Sequence, residues 1–325
     1  MCKLIAALRP LPRIAAAVIA FAAAFAPSIH ARADETLRVG KAVPEAFSFV
    51  PLDVGIQQGI FKQYGLDVQP TAFGGDAKLQ QAMAADSIDV GLGSGPGMAF
   101  IAKGSPLKAI AAMAGAPRLL AIVVRPDGPK TVADLKGKKV SVSTAGSLTA
   151  WLVSQTSRRQ GWGPQGIEIE PMGQLPGQIA ALKRGDIDGT IMDISTAFDL
   201  EKKGEVRILV RFSDIKDFII HVIYATDKAI ANRPDALRKF VKGWFETIAF
   251  MRTHKDDTVK IAGAVIGKDS DIVSRTYDEL MPMFSDNGTF SPAALEVLSK
   301  SWVELGTLPS EPDLKTLYTE EFLPH

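Results

Sequence analysis

Short runs rich in β-branched residues alternate along this chain with segments whose apolar positions recur at helical spacing, the pattern of parallel βαβ units. The pattern predicts strand Leu37–Val43, helix Pro51–Phe61, strand Leu66–Phe73, helix Asp76–Ala85, strand Ile88–Gly93 and a short helix from Pro96. The same order then returns: strand Lys139–Ser143, helix Ser147–Gln160, strand Ile167–Pro171, helix Pro176–Arg184, strand Gly189–Asp193 and helix Ser195–Lys202. Wording repeats along with order. "AADSIDVGLGSGPG" at 84–97 is answered by "KRGDIDGTIMDIST" at 183–196, with Ile88 and Ile187 offset by 99 residues. Leu66-Asp67-Val68 matches Ile167-Glu168-Ile169 at 101 residues, and Gly104 matches Gly204 at 100. Three matches at nearly one offset predict two similar α/β lobes.

Two further β-rich runs, "RLLAIVVRP" (118–126) and "DFIIHVIYATD" (217–227), are expected to carry the chain out of the first lobe and back. The second lobe, 120–225, is then an insertion in the first, 34–119 plus 226–325. The remainder from Arg233 reads as helical. Its strongest segment is "RPDALRKFVKGWFETIAFMRTH", where Pro234 and Asp235 suit a first turn and Leu237, Phe240, Val241, Trp244, Phe245 and Ile248 line one face.

The first 33 residues are of another kind. Lys3, Arg9 and Arg13 precede the apolar run Ile14–Ala26, and Ala31-Arg32-Ala33 follows as a small-x-small cleavage site. This is a secretory signal peptide, too short in its apolar part for a membrane span of roughly 20 residues, with cleavage expected between Ala33 and Asp34. Its removal takes four basic residues and leaves 33 basic against 36 acidic, a net charge of −3. That leaves no basic surplus to hold nucleic acid or an anionic membrane. The single cysteine, Cys2, goes with the signal, so the mature chain is expected to lack disulfides, Cys-ligated metal and a Cys nucleophile. A soluble protein of an exported compartment is implied.

Open α/β sheets bind ligands outside the carboxyl ends of their strands, where loops lead into helix N-termini. Two such loops here, "GLGSGPG" and "SVSTAGSLT", are rich in small and hydroxyl residues. Gly95 and Gly97 permit close backbone approach, and Ser94, Ser143, Thr144, Ser147 and Thr149 set hydroxyls beside unfilled helix amides, an arrangement suited to a small anion. Each hydroxyl alone reads equally as a helix cap. Phe47 and Phe49 in "PEAFSFVP" either wall an organic ligand or pack in the core. Arg118 offers a fork for an oxyanion or joins a structural ion pair. Asp193 accepts from a ligand amine or caps the following helix, and Lys41 is a weaker candidate. His221, in an apolar β run, reads as a satisfied core histidine; His254 ends a helix and His325 ends the chain. HExxH, GxSxG, Walker and Cys-x-x-Cys patterns are absent, and the glycines of "GLGSGPG" break the dinucleotide fingerprint at Pro96-Gly97. No cofactor, metal or catalytic residue is assigned.

"DVGIQQGIFKQYGLDVQ" (53–69), "KLQQAMAADSIDVGLGS" (78–94) and "TVADLKGKKVSVSTAGSLT" (131–149) together resemble the periplasmic substrate-binding proteins of ABC importers in the nitrate, sulfonate and taurine class, which includes thiamine-precursor binders. The resemblance covers essentially the whole mature chain. It implies a type II periplasmic binding fold with two crossover segments, a monomer that closes on a small-molecule ligand, and delivery to an inner-membrane ABC permease. By position it places Phe47, Ser48, Phe49, Ser94, Gly95 and the loop Ser143–Thr149, with Leu148, at the ligand. The ligand class it favours is a sulfonate or carboxylate, with nitrate as a relative. Alternatives are an enzyme on the same fold, of pyrimidine or menaquinone precursor chemistry, or a sensory ligand-binding protein. Loss of Cys2 and the export signal argue against the enzymes.

Overall fold

The computed structural model describes residues 34–324; the signal segment, Cys2 and His325 lie outside them. Strands β1 (Glu35–Lys41), β2 (Leu66–Ala72), β3 (Val90–Ser94) and β4 (Leu107–Ala114) alternate with helices α1 (Val50–Gln57), α2 (Ile60–Gln63), α3 (Asp76–Ala84) and α4 (Ala99–Ala102). Next come β5 (Leu120–Val124), β6 (Lys139–Val142), α5 (Leu148–Arg159), β7 (Glu168–Pro171), α6 (Leu175–Arg184), β8 (Gly189–Asp193), α7 (Ile194–Lys202) and β9 (Arg207–Arg211). Strand β10 (His221–Thr226) opens the helical remainder: α8 (Asp227–Asn232), α9 (Pro234–Thr253), α10 (Lys255–Ile266), α11 (Ser270–Leu280) and α12 (Pro292–Glu304).

The strands form two five-stranded sheets of one topology, β2-β1-β3-β10-β4 and β7-β6-β8-β5-β9. Each sheet holds one antiparallel strand, and the two sheets exchange it. β5 follows β4 in sequence but pairs with β8 and β9, whereas β10 follows β9 and pairs with β3 and β4. The runs expected to be crossovers are therefore strands inside the sheets, and β10 belongs with the first sheet.

The repeated Ile-Asp phrase has a structural cause. Asp89 N–H donates to Arg38 O at 3.0 Å, and its carboxylate accepts from Arg38 N–H at 2.9 Å. In the second sheet Asp188 N–H donates to Lys139 O at 2.9 Å and its carboxylate accepts from Lys139 N–H at 3.0 Å. The aspartate thus locks the entry of β3 to the middle of β1 at Arg38, and the entry of β8 to the start of β6 at Lys139. Ile88 and Ile187 beside it are both buried.

Three elements depart from the expected ones. The helix expected over Pro51–Phe61 breaks into α1 and α2 because Gly59 takes a left-handed conformation, φ 70°, which glycine adopts at little cost. β4 and β9 were not expected at all. "LKAIAAMA" of β4 carries alanine, lysine and methionine, good helix formers, yet it is buried on both faces in the sheet, where small side chains meet neighbours above and below.

Candidate functional site

In each sheet the exchanged strand begins where the third strand ends. Ser94, the last residue of β3, pairs with His221, and Asp193, the last of β8, pairs with Leu120. Both crossings, 115–119 and 212–220, therefore join the carboxyl edges of the two sheets. The second crossing touches both. Ile220 O accepts from Gly95 N–H at 2.9 Å, and Phe218 stacks on Trp151 of α5 with centroids 5.1 Å apart.

On the second sheet, α5 begins at a cluster of hydroxyls. Ser147 caps the helix by accepting from Ala150 N–H at 3.3 Å, and its Oγ lies 2.7 Å from Thr149 Oγ1. Thr149 Oγ1 is 3.2 Å from Ser143 Oγ and also accepts from Ser143 N–H. Thr144 is exposed, and its carbonyl accepts from Ser147 Oγ. Ser143, Ser147, Leu148 and Thr149 are half-buried. First-turn amides of a helix have no intrahelical acceptor, and the Ser147 cap takes up only that of Ala150. This leaves the first-turn amides of Leu148 and Thr149 at a partly open helix N-terminus with a favourable dipole.

On the first sheet the candidates are more committed. Ser94 Oγ accepts from Gly97 N–H at 3.1 Å and donates to Asp76. Asp76 also accepts Ser94 N–H at 2.9 Å, and Tyr224 Oη donates to Ser94 O at 2.6 Å. Burial pushes the Asp76 carboxyl up, against the hydrogen bonds from Ser94. Ser94 is therefore a cap with a filled hydroxyl. The missing side chain of Gly95 makes room for protein, not ligand: a Cβ there would come within 1.9 Å of Ile219 O. Asp76, Gln80 and Tyr224, which hold this turn, were not singled out by sequence, because only the fold brings α3 and β10 to it.

Phe47 is buried, 6.4 Å from Tyr277 and 6.3 Å from Phe284 between centroids. Phe49 is buried edge-on against His221, centroids 4.8 Å apart. Ser48, between them, is 1 % exposed and its Oγ has no partner. His221 is buried, and its Nδ1 has no partner either, which corrects the expectation of a satisfied core histidine. Burial lowers its pKa to about 3, so the imidazole is neutral. An unmade hydrogen bond in such a place costs roughly 1–3 kcal/mol.

The charged candidates are paired. Arg118 lies 3.7 Å from Glu279, which also accepts from Arg211 at 2.8 Å, so two guanidiniums share one carboxylate beside the first crossing. Asp193 caps α7, accepting from Ser195 N–H at 2.8 Å and Ser195 Oγ at 2.5 Å; burial raises its pKa against those bonds. Lys41 is neutralised by Asp53 at 2.9 Å. Separately, a cavity of about 790 Å³ lies behind α5, lined by residues that include Trp151, Arg158, Ile169, Pro171 and Glu304. Its Arg158 and Glu304 face each other at 3.9 Å. Among the described residues no cluster of metal-ligating side chains occurs, and no helix is long and apolar enough to cross a membrane.

Residues 46–258 match the model of the family described as NMT1/THI5 like, and the chain belongs to that family. A protein of Brucella abortus named as a binding protein is 22% identical over 317 residues, covering 94% of this chain and 96% of its own. The periplasmic aliphatic sulphonate binding protein SsuA of Escherichia coli superposes with a TM-score of 0.74 at 18% identity, over 88% of this chain and 92% of SsuA. A mutant of DszB in complex with biphenyl-2-sulfinic acid superposes with a TM-score of 0.68 at 17% identity, over 89% and 97%, and DszB is described as a desulfurization enzyme. The chain has the periplasmic-binding-protein fold anticipated from its sequence, and that fold carries an enzyme as well as binding proteins.

Proposed function

We propose that this chain is an extracytoplasmic solute-binding protein that captures a small organic anion, a sulfonate or carboxylate, between two lobes and hands it to an ABC importer. The lobes are the first sheet with its helices, 34–119 completed by β10 at 221–226 and the chain beyond it, and the inserted second sheet, whose strands lie within 120–211; residues 1–33 serve as the export signal. The observation that carries the reading is the mouth of α5, where Ser143, Ser147 and Thr149 cluster, half-buried, around first-turn amides. An anion settling there gains hydrogen-bond donors and the helix dipole together. Phe218, packed on Trp151, leads straight to Ile219 and Ile220 at the Gly95 turn, so the second crossing ties α5 to the first sheet's edge. Contacts made to both lobes only when closed are what drive closure. The kinship with binding proteins and the fold shared with the sulphonate binding protein of E. coli support the same class.

The test is a thermal-shift panel of alkanesulfonates, taurine, carboxylates, nitrate, bicarbonate and pyrimidines on the exported protein. A ligand at about a hundred times its Kd adds roughly 2.7 kcal/mol, a rise of several degrees for a protein of this size at about 2–4 °C per kcal/mol. Shifts are expected from sulfonates or carboxylates, and Thr149→Val is expected to weaken the best of them about tenfold, roughly 1.4 kcal/mol. Shifts from neutral or cationic compounds alone would remove the anion from the reading. Recovery of the bound compound unchanged by mass spectrometry separates a binding protein from an enzyme on this fold.

A further inference from the structure

The duplication shows where the second sheet lacks cover. β7 holds the place of β2, the outer strand of its sheet, and Ile167-Glu168-Ile169 matches Leu66-Asp67-Val68. In the first sheet α2 and α9 pack against β2, and Leu66 and Val68 are buried. In the second, residues 160–167 between α5 and β7 form no helix in the place of α2, and Ile169 is left half-buried. The cavity of about 790 Å³ lies along this strand, lined by Ile167, Ile169 and Pro171, by Trp151 and Arg158 of α5, and by Glu304 at the end of α12.

Two opposite charges border this space without being joined. The Arg158 guanidinium donates no hydrogen bond among the described residues, and the carboxylate oxygen facing it, Glu304 Oε1, is 3.9 Å away, beyond hydrogen-bonding distance. Glu304 is held in place by its other oxygen, Oε2, which accepts from Trp151 Nε1 at 2.9 Å and Gln155 at 3.3 Å. The pair is thus fixed and open, with a donor fork on one side and a carboxylate oxygen on the other. The third charged residue of the wall, Glu168, is exposed and lies 3.9 Å from Lys139.

We propose that this cavity is a second ligand site, for an α-amino acid with a large apolar side chain. The head group of such a ligand carries a carboxylate and an ammonium on one carbon. Arg158 takes the carboxylate in its fork, Glu304 Oε1 accepts from the ammonium, and the side chain lies on Ile167, Ile169 and Pro171, where an apolar wall with a few convergent polar groups is what a small-molecule site requires. Charge selects the zwitterion over simpler ions. A plain anion at Arg158 sets its charge against Glu304, and a plain cation at Glu304 sets its charge against Arg158, whereas the amino acid answers both. Ser143, Ser147 and Thr149 are not among the residues lining this cavity, so the site stands or falls independently of the anion reading at the mouth of α5.

Calorimetry on the purified protein tests this with L-leucine, L-phenylalanine and L-tryptophan, each against its counterparts lacking the amino group or the carboxylate (for phenylalanine, 3-phenylpropanoate and 2-phenylethylamine). The best of the three amino acids is expected to bind about tenfold or more tightly than either counterpart. Arg158→Gln and Glu304→Gln are each expected to weaken it about tenfold or more, and Thr149→Val to leave it within about twofold. Glu304→Gln keeps an acceptor for Trp151 Nε1, so a melting temperature close to wild type shows that its loss of binding is a loss of charge and not of fold. Absence of binding by all three amino acids up to about 10 mM, equal binding of both counterparts, or an affinity that survives both variants overturns the proposal. Binding lost in Thr149→Val and kept in Arg158→Gln moves the amino acid to the mouth of α5 and overturns the second site as well. Failure of sulfonates and carboxylates to bind, with the amino acid bound as expected, removes the anion reading and leaves this site standing.

Discussion

Asp89 and Asp188 hold the same place in the two sheets, yet their surroundings set different energetic weights. Asp89 is buried, and besides the Arg38 amide it accepts from the Arg38 guanidinium at 2.6 and 3.0 Å and from Arg233 at 3.0 Å. Asp188 is partly exposed, with Lys138 at 3.7 Å. Asp89→Ala is therefore expected to cost roughly 3 kcal/mol, near the lower end for a broken buried pair. Asp188→Ala is expected to cost about 1 kcal/mol, one modest hydrogen bond; urea unfolding of the two variants checks the contrast. Burial opposes the charge of Asp89, but the hydrogen bonds and charge of Arg38, with Arg233, outweigh it and hold the pKa below its ordinary value. Its contribution is thus complete above the unfolded value near 4 and is lost as pH falls through the lower folded one. His221 acts in an earlier window. Its unfolded pKa is about 6.5 and its folded value about 3, so acidification favours the unfolded chain throughout that interval. Stability is expected to decline from about pH 6.5 downward by up to about 1.4 kcal/mol per pH unit, and His221→Phe is expected to flatten that slope between pH 6 and 4. At this scale the sequence was only half legible. Capping by Ser147 and Asp193 could be read from neighbours a few positions away. The partners of Ser94 and Arg118 could not, since Asp76, Tyr224 and Glu279 come from distant elements.

Among the elements, α12 bridges the two sheets' surroundings. Trp302 donates to Pro96 O at 2.9 Å on the first-sheet side, while Glu304, two residues on, accepts from Trp151 Nε1 at 2.9 Å and Gln155 at 3.3 Å on α5. Glu304→Ala leaves the buried Trp151 N–H unpartnered and is expected to cost roughly 1–2 kcal/mol, followed by tryptophan fluorescence during urea unfolding; Glu304→Gln, which still accepts, is expected to recover most of it. On the opposite flank α11 docks on α7 through Arg275, which reaches Glu201 at 2.8 Å and lies 3.8 Å from the Phe198 ring centroid. Helix faces such as that of α9 were readable because their apolar period is unambiguous. β4 was not, because an alanine-rich strand buried on both faces lacks alternation, and its only local signals were the flanking Gly104, Pro106, Gly115 and Pro117. Nor does any periodicity announce which helix will straddle two sheets.

For the whole molecule, the duplication was the most legible feature, because a repeated fold repeats its local necessities: an aspartate at the third strand's entry and a side-chain cap at its exit, Ser94 in one sheet and Asp193 in the other. The exchange of one strand between the sheets was the least, since β5 and β10 are apolar runs whose pairing depends on residues far away in sequence. The exchange also orders events in time. Every strand of the second sheet lies between Leu120 and Arg211, so its pairing partners are all at hand once that stretch of chain exists. The first sheet cannot close when its own four early strands have been made, because the gap between β3 and β4 waits for residues 221–226. The segment synthesised first is thus the last to be completed, and β3 and β4 keep an unpaired edge until the chain has passed residue 226. A nascent chain of this order holds a complete set of partners for its second sheet some residues before its amino-terminal strands have theirs, so the inserted half can be native while the older half is still open.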